Sequence, residues 1–130
     1  MRSILVRGAA FLLAAAACAW FVIGIRQAHD TARANAILSN GPPLTAGQQH
    51  QVSSLLSAAS FLNPDTQVKV LKAQLAVQSG HEATGDAIVL GVLRDEPMNA
   101  EGWFWLAQHA ARPQYLALAY QRLARLAPRP

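Results

Sequence analysis

Apolar and polar positions divide the chain into two unequal parts. From Gly8 to Ile25 the run GAAFLLAAAACAWFVIGI carries no charged side chain, and Arg7 and Arg26 close its ends. At about 1.5 Å per residue a helix of this run reaches about 27 Å, close to the hydrocarbon thickness of a bilayer. A backbone in lipid must satisfy its own hydrogen bonds, which predicts a helix over residues 8–25. If Arg7 snorkels, Ile4, Leu5 and Val6 add almost one more turn. Residues 26–39 continue that helix without a breaker, until Ser39-Asn40-Gly41-Pro42-Pro43 stops it.

The rest of the chain follows helical periods. Thr45 with Gln48 forms a capping box, and Val52, Leu55, Leu56 and Ala59 follow at i, i+3, i+4 and i+7, the stripe of an amphipathic helix. Asn63-Pro64-Asp65 breaks the chain. Residues 66–79 place Val68, Leu71 and Leu75 on one face, and Gly80 stands where a helix needs a left-handed terminal residue. Residues 82–95 carry a stripe of Ala83, Ala87 and Leu90, with Ile88 and Val92 beside it, and Pro97 ends that segment. Asn99 caps a helix over 100–110. Pro113 opens the last one, lined by Tyr115, Ala119, Leu123 and Leu126. No segment alternates in the manner of a half-buried strand, so an all-α chain of short antiparallel helices is expected.

The apolar run has two other readings. A signal peptide would be cleaved near the small residues Ala14 to Ala17, but Trp20, Phe21, Val22, Ile23 and Ile25 would then form an exposed apolar terminus. Lipoprotein processing at Cys18, the sole cysteine, fits poorly with Ala15, Ala16 and Ala17 before it and Trp20 and Phe21 after it. An uncleaved single-pass anchor in a cytoplasmic (inner) membrane is therefore expected. The α-amine, Arg2 and Arg7 before the run, against Arg26 and Arg33 offset by Asp30 after it, place the C-terminal domain outside the cytoplasm.

Composition narrows the class. The formal net charge of +4 falls to +2 from residue 31 onward, with eight basic and six acidic residues, too weak a footprint for nucleic acid. With no cysteine beyond the anchor there is no disulfide framework and no thiolate metal site. The excess of arginine over lysine and the many alanines fit a GC-rich bacterial genome.

The segments around three prolines repeat. SFLNPD, LRDEPMN and ARLAPRP set Pro64, Pro97 and Pro128 at intervals of 33 and 31 residues, a period that marks helical arrays. In LRDEPMNAEGWFWLA, Pro97 closes one unit, Asn99, Ala100 and Glu101 open the next, Trp103 follows six places after the proline, and Leu106-Ala107 come after it. This pattern resembles the tetratricopeptide repeat (TPR), and Tyr120 to Leu123 before Pro128 resemble the end of its second helix. The resemblance covers residues 66–130, about two repeats. Residues 26–65 read as a degenerate hairpin fused to the anchor and acting as a cap, and residues 1–7 as a basic flank. Lys69 stands where the preceding unit should carry its aromatic, Gly85 replaces the usual alanine, and the last unit is about three residues short at its turn.

Candidate chemistry is sparse. His29, His50, His81 and His109 are scattered without metal-ligand spacing. Ser53, Ser54, Ser57 and Ser60 have no obvious base, and nothing nominates a nucleophile or an acid/base pair. A non-enzymatic protein without cofactor or metal is expected. The resemblance implies an inner, partner-binding face of Gln67, Gln74, Gln78, Glu101, Phe104 and Gln108, with Trp103 packed between paired helices. Core packing of Trp103, Phe104 and Trp105 alike is the plainer alternative. Five acids lie between Glu82 and Glu101, and only arginines beyond, so Arg122, Arg125 and Arg129 are candidates for anionic lipid. Two roles remain open: a membrane-tethered interaction module with a protein partner or a second copy of itself, and an assembly subunit acting through the Ala14–Ala17 face of its anchor.

Overall fold

The computed structural model describes residues 2–41, 43–61, 63 and 65–126, the side chains of 2–7 and 9 aside. Pro42, Pro64, Pro128 and Arg129, and the side chains of Arg7, Ile4, Leu5 and Val6, lie outside that description. The described residues form six helices and no strand: α1 (Arg2–Ser39), α2 (Ala46–Ala59), α3 (Thr66–Gln78), α4 (Glu82–Asp95), α5 (Ala100–His109) and α6 (Pro113–Leu126).

Local chemistry explains the helix ends. The Thr45 hydroxyl accepts the Gln48 backbone N–H while the Gln48 side chain accepts the Thr45 N–H at 2.9 Å, the reciprocal capping box. Asp65 caps α3 through the Gln67 N–H at 2.9 Å, and Asn99 caps α5 through the Gly102 N–H at 2.9 Å. Gly80 adopts φ +79°, and the His81 and Gly80 amides bond back to Ala76 and Val77 carbonyls at 2.8 and 2.9 Å. That is a left-handed helix stop with its orphan carbonyls satisfied.

α1 does two different things along its length. Over its first part Phe11, Leu12, Leu13, Trp20, Phe21, Val22 and Ile25 are all exposed, and it is the one helix among the described residues long and apolar enough to cross a membrane. Its last part turns inward, with Thr31, Ala34 and Leu38 buried against α2 and α3. The helices then alternate direction. Gln27 of α1 donates to the Phe61 carbonyl just past the end of α2, whereas Gln78 at the end of α3 donates to the Leu38 carbonyl near the end of α1 at 3.0 Å. Lys69 at the start of α3 pairs with Asp95 at the end of α4 at 3.8 Å. So α1, α3 and α5 run one way and stack in order, while α2, α4 and α6 return behind them.

Two apolar clusters fill the array. Ala34, Leu38, Leu44, Val52, Leu56, Ala59, Val68 and Leu71 form the first, under the α1–α2 hairpin. Val70, Ala73, Val89, Leu93, Trp103, Trp105, Leu106 and Ala119 form the second. α3 supplies both, so it is the wall between them. Each fully buried Leu or Val contributes about 1.5–3 kcal/mol.

The stripe expected on α4 is displaced. Ala83 and Ala87 are exposed, and the buried face carries Gly85, Asp86, Val89, Val92 and Leu93 instead. The larger side chains Val89 and Leu93 outweigh two alanine methyls. Gly85 lets α4 close on α3: a Cβ there would lie 2.8 Å from Val77 Cγ2, 3.0 Å from the Ala73 carbonyl oxygen and 3.1 Å from Trp105. Glycine at position 85 thus has a packing reason.

Three glycines should therefore answer differently in denaturant unfolding of the full chain in detergent. Gly80→Val should cost about 1–2 kcal/mol through backbone strain alone, because open space surrounds its Cβ position. Gly85→Ala should cost about 1–3 kcal/mol by overpacking. Gly91→Ala, inside α4 with nothing near its Cβ, should gain about 0.5–1 kcal/mol. A neutral Gly85→Ala would place the α3–α4 contact elsewhere.

Candidate partner-binding groove

The stacked helices α1, α3 and α5 leave a shallow groove of about 250 Å³. Gln67 and Gln74 enter it from α3, Glu101, Phe104 and Gln108 from α5, and Asn35 from α1. Its floor is Val70, Leu71 and Trp105, with His109 at one end. Five of the six residues expected on the inner face are thus brought together. Phe104 is 56 % exposed and is the apolar projection in an otherwise amide-rich wall.

The sixth, Gln78, stands apart. Its Nε2 is spent on the Leu38 carbonyl at the end of α1, and its Oε1 is buried without a hydrogen-bond partner. The Leu38 carbonyl also accepts the Gly41 N–H at 3.2 Å, so Gln78 is its second donor. It straps α3 to α1 rather than facing a partner.

The three adjacent aromatics separate by about 100° per residue, as a helix requires. Trp103 is buried; its Nε1 donates to the Pro97 carbonyl at 2.8 Å, and the Arg122 guanidinium lies 5.8 Å from its ring centroid. It therefore ties α5 to the preceding turn and to α6. Trp105 faces the opposite way, into Gly85 and the groove floor, stacked on His109 with ring centroids 5.0 Å apart. Only Phe104 points outward. Asn35 and Trp105 were absent from the sequence-derived face. The first belongs to α1, whose register in the stack is invisible in the chain, and the second is reached only because α4 approaches α5 at a glycine.

Of the arginines considered for lipid, Arg122 covers Trp103, Arg125 is exposed on the last turn of α6, and Arg129 lies outside the described residues. The histidines sit on α1, α2, the α3–α4 turn and α5, and among the described residues no group of three or more His, Cys, Asp and Glu side chains converges.

One ionisable group is buried away from the groove. Asp86 of α4 is 2 % exposed and accepts the Ala111 backbone N–H through both oxygens at 3.2 and 3.4 Å, closing the α5–α6 turn onto α4. Burial pushes its carboxyl above the usual 3.8; the Ala111 hydrogen bond and Arg112 oppose the shift, and Glu82 adds to it. Sequence patterning passed over Asp86, because a carboxylate on a buried face looks like a solvent position.

Comparison of the chain with family models, with curated proteins and with solved structures finds no match.

The Asp86 shift has a defined sign. The folded carboxyl holds its proton more tightly than the unfolded one, so its ionisation weakens the fold. The loss sets in as pH rises past 3.8 and is complete above the raised folded value. Asp86→Asn keeps an oxygen for the Ala111 N–H and cannot ionise. Relative to this variant, wild type should lose stability between acid and neutral pH in urea titrations. Parallel pH profiles would mean that Asp86 ionises without cost.

Proposed function

We propose that the protein is a membrane-tethered protein-interaction module of TPR-like design whose partner occupies the α1/α3/α5 groove. The observation that carries this reading is the convergence of Asn35, Gln67, Gln74 and Gln108 around Phe104. Each carboxamide offers both a donor and an acceptor, the complement of an extended peptide backbone. Phe104 offers the kind of aromatic anchor that dominates interface energetics. Glu101 is the groove's one acidic group, which favours an occupant with a cationic side chain. The order of helices supports the TPR likeness, since first helices stack on one side and Trp103 packs between the two helices of its hairpin. No pair of groups in the groove supplies a nucleophile and its base, so a binding role is preferred to catalysis.

A groove of this size gives weak affinity for a free peptide, and the anchor offsets that by raising local concentration. The competing reading, an assembly subunit acting through the Ala14–Ala17 face, draws on the full exposure of those residues along α1.

Photo-crosslinking residues at Gln67 and Gln108 in cells should yield a discrete adduct, lost with Phe104→Ala while the helical circular-dichroism signal stays unchanged. Trp103→Ala should instead destabilise the domain by about 3–5 kcal/mol. Adducts only from positions 14–17 would transfer the function to the anchor. If both aromatic substitutions unfold the domain, Phe104 is a core residue and the groove assignment fails.

The anchor has its own test. The protein should stay with membranes through alkaline carbonate extraction, and a soluble product beginning near Cys18 or Ala19 would overturn the tether. Cysteine at Ser79, in a Cys18→Ser background, should react with an impermeant reagent in cells lacking an outer barrier. Labelling only after lysis would put the domain in the cytoplasm.

A further inference from the structure

The α2–α3 turn lies beside the membrane end of α1. Gln27 holds the Phe61 carbonyl, and the cleft between them, about 420 Å³, reaches down α1 to Ile23 and is walled by Arg26, Asp30, Ser57 and Ala58. On the other side of the same turn, Asn63 and Asp65 border a second cleft that descends to Gly24. Ile23 and Gly24 belong to the apolar run 8–25, one or two residues inside its end, which is about 3 Å along the helix. The turn therefore reaches the level at which the span leaves the hydrocarbon. Phe61 is 67 % exposed there.

We propose that Phe61 and the α2–α3 turn are seated in the headgroup–acyl boundary of the bilayer, a second membrane contact that fixes the tilt of the helical array. The inference rests on the reading of residues 8–25 as a span. The exposed Phe61 side chain shares a cleft with Ile23 of the apolar run, so one medium covers both. Phe, like Trp and Leu, supplies the apolar side of segments that lie at that boundary, and Arg26 beside Phe61 presents a cation at headgroup depth. The α4–α5 turn is at the same end of the array, with Met98 exposed, and acids flank both turns (Asp95 and Glu96 there, Asp30 and Asp65 here); what sets Phe61 apart is its cleft against Ile23 of α1. The contact is therefore local to the α2–α3 turn.

The test uses the full chain carrying Cys18→Ser, reconstituted in phosphatidylcholine vesicles with lipids brominated near the headgroup end of their acyl chains. A fluorophore on Ser57→Cys, which leaves Phe61 in place, should be quenched like one on Val22→Cys. One on Ala83→Cys, at the far end of the array, should not. Adding Phe61→Asp should abolish quenching at position 57 and leave that at position 22, and the helical signal, intact. Quenching at 22 with none at 57 would overturn the proposal and leave the span standing. Quenching at 57 that survives Phe61→Asp would also overturn it. Absence of quenching at 22 would remove the span itself, and the proposal with it. A position-57 label shielded from aqueous iodide yet untouched by brominated lipid would mean that a second copy covers the turn, which also overturns it.

Discussion

The rest of the structure depends on α1 being unbroken. No glycine–proline stop separates its apolar part from the part that carries Thr31, Ala34 and Leu38, so a single helix passes from an exposed apolar surface into a packed core. A helix of 38 residues is about 57 Å long, and the apolar run 8–25, matched in length to a bilayer's hydrocarbon, accounts for about half of that. The remainder must find apolar cover of its own, and α2 and α3 provide it. A flexible linker at this point would leave the domain free to tumble. A continuous helix makes the direction of the span and the direction of the array one quantity.

α3 then sets how far the array can extend. It gives Val68 and Leu71 to the cluster beneath α1 and α2, and Val70 and Ala73 to the cluster beneath α4, α5 and α6. A helix buried on two sides has little freedom of rotation, and this explains the close approach at Gly85. The α3–α4 separation is fixed from the α3 side, so α4 must offer a position without a side chain. Asp86, next to Gly85, is carried inward by the same approach. Its carboxylate is retained there by the Ala111 amide of the α5–α6 turn, an amide that a shorter last unit would otherwise leave without a helical acceptor.

What could be read from the chain was what depends on local chemistry. Thr45 with Gln48, Asn99, Gly80 and Pro113 each mark a helix end by local backbone chemistry, and the helices begin or stop within two residues of them. Gln67, Gln74, Glu101, Phe104 and Gln108, expected on one face from the resemblance, line one groove because helical periodicity alone places them on facing sides of α3 and α5. What failed depended on partners distant in sequence. The α4 stripe was placed on Ala83 and Ala87, because nothing local discloses that α3 lies against Gly85. Gln78 shares a face with Gln74 one turn away, yet the end of α1 stands at its level and takes its amide. The cap Asp65 was read only as part of a break.

Continuity of α1 also fixes where the proposed groove stands above the membrane. Asn35, the α1 contribution to it, lies ten residues beyond Ile25, which is about 15 Å along the helix. With the α2–α3 turn seated at the bilayer surface as proposed, that height would not vary by domain rotation. Under the proposed function, a partner segment would have to present its extended stretch at this distance from the hydrocarbon, a condition met by the juxtamembrane part of a neighbouring membrane protein and rarely by a diffusing globular one. Weak intrinsic affinity is no handicap under such geometry, because the tether restricts both molecules to the same layer and the effective concentration rises accordingly. On the proposed function the groove's small size and the continuous helix act together: selectivity would come from the height and direction at which the amides and Phe104 are held, more than from the area they bury.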